Sequence, residues 1–187
     1  MPRQIVLYST LAITALFGLA PSASAQKSYA LGISGGAAIP TGKLGGSQST
    51  GYAGALFLAL GVPDLPLGVR FDGIYNDFAG RTVTATGGGS TTHPDTRVMG
   101  VLGNLIYSFP GTSAKPYLVT GGGIYNIKAD APGVRSKNDF GYSVGFGSTF
   151  GVRQLAAFIE ARYHGISREA ADGGNIQFAP ITLGLVF

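Results

Sequence analysis

Between Asn138 and Phe150 the chain reads NDFGYSVGFGSTF, and Phe140, Tyr142, Val144, Phe146 and Phe150 alternate with Asp139, Gly141, Ser143, Gly145, Gly147 and Thr149. A repeat of two belongs to a β-strand, whose successive side chains point to opposite faces. Seven further runs carry the same patterning. Lys27–Pro40 sets Tyr29, Leu31, Ile33 and Ile39 on one face, and Gly51–Val62 sets Tyr52, Leu56, Leu58 and Leu60 against Ala53, Ala55 and Ala59. In Leu67–Asn76, Leu67, Val69, Phe71 and Tyr75 alternate with Gly68, Arg70 and Asp72; in Arg97–Phe109, Val101, Leu105, Tyr107 and Phe109 alternate with Gly100, Asn104 and Ser108. Lys115–Asn126 reads with Tyr117, Val119 and Tyr125 as its apolar face, and Leu155–Gly165 and Asn175–Phe187 complete the set. No stretch shows a helical period. The expectation is an all-β chain with eight antiparallel strands.

The joins between these runs alternate in length. Short ones at Pro63–Pro66, Pro110–Ala114 and Gly151–Gln154 take turns with longer polar ones at Thr41–Thr50, Asp77–Thr96, Ile127–Lys137 and Ile166–Gly174. The second long join contains TATGGGSTTHPDT, read as a mobile segment. Short turns at one end and long loops at the other describe an up-and-down barrel of the membrane type, with periplasmic turns and extracellular loops. An even strand number puts both mature termini on the short-turn, periplasmic side.

A soluble barrel alternates too, so the question is which face meets the surroundings. Only 12% of residues are charged, while glycine accounts for 31 of 187. The polar parity is built of Gly, Ala and Ser, which suits the crowded interior of a narrow barrel and which a hydrated surface has no reason to prefer. Aromatic residues recur near the ends of the apolar faces, at Tyr29, Tyr52, Tyr75, Tyr107, Phe109, Tyr117, Tyr125, Phe150 and Tyr163, as the two membrane–water interfaces favour. The absence of Trp argues against a soluble lipocalin-like barrel, whose first strand carries one. An apolar exterior follows.

Export is expected from the first residues. Arg3 precedes an apolar run from Ile5 to Ala20, and Ala23-Ser24-Ala25 has the small-x-small form of a cleavage site, so that cleavage after Ala25 makes Gln26 the first mature residue. Of 187 residues, 187 − 25 leaves 162, one domain's worth, with 12 cations and 9 anions for a balance of +3. Those cations form no run, so nucleic acid is not an expected partner. There is no cysteine, hence no disulfide and no thiol chemistry, which fits a bacterial, Gram-negative-type cell envelope protein.

The chain closes with APITLGLVF, in which Ala179, Ile181, Leu183, Leu185 and Phe187 share a face. In this ending and in its eight-run pattern the mature chain resembles the small eight-stranded outer-membrane barrels related to the OmpA transmembrane domain and to OmpX. The resemblance implies an outer-membrane location among lipid and lipopolysaccharide. It also implies that Ile181, Leu183, Leu185 and Phe187 form the assembly signal read by the barrel-assembly machinery. The peptidoglycan-binding domain of full-length OmpA has no counterpart after the eighth run, so no cell-wall tether is expected.

Chemistry is sparse. In FIEARYHG, the parity that turns Ile159, Ala161 and Tyr163 toward lipid turns Phe158, Glu160, Arg162 and His164 inward. Arg70 and Asp72 share the inward parity of the third run, with Asn104 and Asp139 on the fourth and sixth. The expectation is an interior polar network in which Glu160 accepts from Arg70 or Arg162 and Asp72 from the other. Small outer-membrane barrels include lipid A deacylases, which pair a His with a Ser two residues on; here Ser167 follows His164 by three, a departure from that pattern. The Gly121–Gly123 triplet lies mid-strand, with no following helix to cradle a phosphate. With His93 and His164 the only histidines and no cysteine, no metal site and no cofactor are expected. Lys128, Arg135 and Lys137 in the third long loop suit lipopolysaccharide phosphates and a solvated loop equally. The preferred reading is a non-enzymatic barrel, structural or presenting its loops to an unknown extracellular ligand. The alternatives are a lipid A-modifying enzyme and, more weakly, a narrow pore, since eight strands enclose an interior only wide enough for side chains.

Overall fold

The structure, a computed structural model, describes residues 29–62, 64–84, 88–131, 136–152, 155–168 and 174–187. The proposed leader, with Ala25 and Gln26, lies outside the described residues, as does Arg135. Eight long strands make the wall: β1 (Tyr29–Thr41), β2 (Gly51–Gly61), β3 (Leu67–Phe78), β6 (Thr96–Ser108), β7 (Ala114–Ala129), β8 (Lys137–Val152), β9 (Leu155–Ile166) and β10 (Ile176–Val186). They form a closed antiparallel barrel in the order β1-β10-β9-β8-β7-β6-β3-β2. Each strand pairs with its neighbour in the chain, and β1 closes on β10 through pairs such as Gly35 with Leu183. Closure leaves no free strand edge, which is what a sheet in hydrocarbon requires, because an unpaired backbone group there has no water to turn to.

Both ends of the wall meet at the short-turn end, where Leu31 and Phe187 exchange backbone hydrogen bonds of 3.3 and 2.8 Å. The outward face is a belt of bare apolar side chains. Leu56 is 60% exposed, Val101 70%, Phe146 66% and Leu183 67%, values found on a water-soluble surface only as isolated cases. Inward positions hold Gly, Ala and Ser around a few large groups.

β7 corrects one sequence-based assignment. Tyr117, Val119 and Tyr125 face the interior and are buried, while Leu118 and Ile124 face out. Both parities of this strand carry apolar residues, so its own pattern does not choose between them. Register chooses: Gly121 stands beside Asn104 of β6 and Ser143 of β8, both inward. The aromatic girdle therefore loses Tyr117 and Tyr125, and the interior gains two phenols.

Parts of the loop end carry regular structure. Gly42, at φ +56°, turns the chain into a short helix, α1 (Gly42–Ser47). Six residues are too few to show a period, and what holds α1 is the burial of Leu44. Within the second long join β4 (Thr82–Thr84) pairs with β5 (Ser90–Thr92), and Thr82 and Thr92 hydroxyls meet at 3.0 Å; β5 falls inside the segment read as mobile, of which residues 85–87 lie outside the described residues. The first two loops are laced together by the Gln48–Gly80 bridge and by Arg81 N donating to Ser47 O.

Candidate functional site

The middle of the barrel is occupied by four charges. Arg70 and Asp72 come from β3, Glu160 and Arg162 from β9, strands on opposite sides of the lumen. On each strand the two residues lie two apart and so share the inward face. Arg70 reaches across to Glu160 with Nη1–Oε2 at 2.8 Å and Nη2–Oε1 at 3.0 Å, a bidentate pair. Arg162 reaches back to Asp72 at 2.6 Å and also bonds Glu160 on its own strand at 2.7 Å. Arg70 Nε approaches Asp72 Oδ1 at 2.9 Å as an ion pair without hydrogen-bond alignment. Each carboxylate thus meets both guanidiniums, and the quartet is neutral overall. All four residues are buried.

Neutral donors complete the shell. Tyr117 donates to Glu160 at 2.8 Å, Asn104 to Asp72 at 3.0 Å, and Ser143 to Asn104 at 3.1 Å. Toward the short turns, Phe57 and Phe158 meet edge to face and the Arg70 guanidinium lies 4.7 Å over the Phe57 ring. Phe57 fits only because Gly32 stands opposite, where a Cβ would lie 2.1 Å from the ring.

Of the residues singled out in the sequence, Arg70, Asp72, Asn104, Glu160 and Arg162 come together here. His164 and Asp139 do not. His164 belongs to the next layer, with its Nδ1 2.8 Å from the Tyr125 hydroxyl and its ring stacked on Phe178 at 4.8 Å. That layer continues into an apolar plug of Phe78, Val98, Leu102, Ile127, Ile166 and Ile176, with Leu44 of α1 against it. Asp139 sits at the loop end of β8 and takes Arg168 Nε at 2.7 Å instead, because an inward residue so near the strand's end is several turns of the pleat away from the quartet. Tyr117, Tyr125, Ser143, Phe57 and Phe178 are participants the sequence reading did not assign. Inward parity of a hydroxyl-bearing residue is the clue that would have found the two tyrosines, once the register of β7 is known.

The arrangement bears on two readings of function. A pore needs a continuous passage, and among the described residues the aromatic pair, the quartet and the apolar plug succeed one another along the lumen, with a pocket beside the charges lined by Arg70, Asp72, Glu160 and Arg162. A deacylase-like site needs a histidine at the lipid-facing rim beside its serine. The His164 imidazole lies inside the wall, 2% exposed, and bonds Tyr125.

A closed eight-stranded wall of this kind has counterparts among solved structures. The structure is similar to that of Neisserial surface protein A, with a TM-score of 0.62 at 18% identity over 84% of this chain and 94% of that one. It is also similar to the outer membrane protein OprG from Pseudomonas aeruginosa, with a TM-score of 0.53 at 14% identity over 86% of this chain and 97% of that one. The chain has the fold of the small eight-stranded outer-membrane barrels. No family model and no curated protein sequence matches it, so the likeness is one of architecture. The expected all-β, eight-stranded up-and-down barrel is what the structure has.

Proposed function

We propose that this protein is a non-catalytic integral outer-membrane barrel that presents its long loops outside the cell, with both mature termini in the periplasm. The observation that carries this reading is the filled interior: inward charges and His164 are taken up by partners within the wall. The loop end is then the surface left for recognition. A small membrane wall with its long loops at one end is suited to display, and the ligand of that end is a matter for binding experiments.

Topology tests it. An epitope inserted within 86–90 is expected to be labelled on intact cells, and one within 110–114 only after the outer membrane is opened. Equal labelling of the two sites would refute the orientation. Assembly supplies a second expectation. Ile181, Leu183, Leu185 and Phe187 all face outward, and Phe187 is 51% exposed, so removing its ring costs little packing within the barrel. If Phe187 is the terminal residue of the assembly signal, Phe187→Ala, which keeps the backbone bonds to Leu31, lowers the heat-modifiable, folded fraction in outer-membrane preparations several-fold, while Val186→Ala, on the inward parity, has a smaller effect. An unchanged folded fraction in Phe187→Ala would remove that role.

A further inference from the structure

At the loop end α1 packs against β1 and β10, and Leu44 joins the same buried cluster as Ala38 of β1 and Ile176 and Phe178 of β10. Apart from that anchor, α1 is a weak helix. Three of its six residues, Gly42, Gly45 and Gly46, are glycine, the poorest helix former after proline. A single turn makes too few bonds to offset the cost of nucleating it. Thr41 stands at the N-cap but makes no side-chain capping bond, where a threonine ordinarily satisfies one of the first amides. Among the described residues, Thr41 Oγ1 and Gln48 Oε1, one at each end of α1, are buried without a hydrogen-bond partner. Buried polar atoms left bare in this way destabilise the closed arrangement relative to one that water can reach.

The two ends of α1 are held differently. Gly42 sits at φ +56°, a joint that glycine takes without strain. Past the other end the chain is pinned to the second long loop. Arg81 N donates to Ser47 O at 3.0 Å, Ser49 N to Ala79 O at 2.8 Å, and Gln48 Nε2 to Pro94 O at 3.0 Å. Between the joint and the pins, Leu44 is the buried residue of α1.

We propose that α1 is a lid on the loop-end mouth of the lumen, in which residues 42–46 unwind about Gly42 while 47–49 stay pinned, and Leu44 is the latch. When Leu44 swings out, solvent from the loop side reaches the layer beneath. That layer holds Phe78 and Phe178, which meet edge to face at 5.4 Å and are fully buried while the lid is shut. The loop end then has two states, a sealed one and one that opens an apolar chamber. The lid concerns the mouth alone and does not depend on what the long loops bind.

The test uses the full-length mature protein folded in lipid nanodiscs. The chain has no cysteine, so Leu44→Cys carries a single thiol for a maleimide. Leu102→Cys is the reference, because Leu102 belongs to the same buried cluster but sits on the wall strand β6. Labelling at position 44 is expected to be at least about a hundredfold faster than at 102, as local opening outruns opening of the wall. Gly46→Ala added to Leu44→Cys is expected to slow labelling about fivefold, the usual glycine-to-alanine gain in a helix. A Cβ at Gly46 meets nothing within 4 Å, so the methyl group fits. A thiol is a weaker latch than leucine, so the unsubstituted protein is read as well, by amide hydrogen exchange. The Gln48 amide, bonded to Leu44 O at 2.9 Å, is expected to exchange at least about tenfold faster than the pinned amides of Ser49 and Arg81. Heat-modifiability on gels reports the folding of each variant, and exchange on the unsubstituted protein decides the matter if a variant fails to fold. Equal labelling at 44 and 102 would overturn the lid. So would a rate unmoved by Gly46→Ala, or a Gln48 amide as protected as those of Ser49 and Arg81.

Discussion

Glu160→Ala is expected to destabilise the folded barrel by about 3–5 kcal/mol, the usual cost of leaving a buried charge without its partner. Glu160 is the acceptor for both guanidiniums and for the Tyr117 hydroxyl. Removing it leaves Arg70 and Arg162 sharing Asp72 alone, two buried cations against one buried anion. The measurement is the urea midpoint of the folded protein in lipid vesicles, with gel heat-modifiability as the probe. A companion variant separates pairing from packing: Glu160→Met with Arg162→Met removes one charge of each sign and fills the volume with apolar side chains. Buried ion pairs replaced in this way are often neutral or even stabilising, so the double variant is expected to be more stable than Glu160→Ala. A loss under about 1 kcal/mol for Glu160→Ala, the range of an exposed ion pair, would show that the quartet does not hold the lumen together.

Val101→Arg tests the opposite face. Val101 is 70% exposed, near the middle of β6, and has ample room for a longer side chain. On a hydrated surface such a change stays within about 0.5 kcal/mol. At the midplane of a bilayer it costs about 2–4 kcal/mol, falling to about 0–1 near the interface. Met99→Arg, one outward step closer to the loop end, is therefore expected to cost less than Val101→Arg, and the gradient between them is the signature of lipid. Both costs are read from unfolding in vesicles, and two equally mild effects would contradict a membrane-embedded wall.

The fold was legible because a barrel in lipid has a binary code. Runs such as Phe140, Tyr142, Val144 and Phe146 against Gly141, Ser143, Gly145 and Gly147 carry their face assignment in composition alone, since lipid asks for large apolar groups and a narrow lumen asks for small ones. Strand number, antiparallel order and the split between short turns and long loops follow from counting those runs. Inward parity likewise selected Arg70, Asp72, Asn104, Glu160 and Arg162, because a charge on a strand of this kind has nowhere else to go.

What period two does not carry is register and depth. A strand that is apolar on both parities, as β7 is, reveals its inner face only when its neighbours align it, and so Tyr117 and Tyr125 became lumen residues through their alignment with β6 and β8. Depth decided the partners: His164 and Asp139 share the parity of the quartet but lie at other levels, where Tyr125 and Arg168 are in reach. Alternation is a local property of each strand, set by the pleat and the solvent on either side. Register and level belong to the closed wall, because only closure makes eight separate alternations agree on one interior.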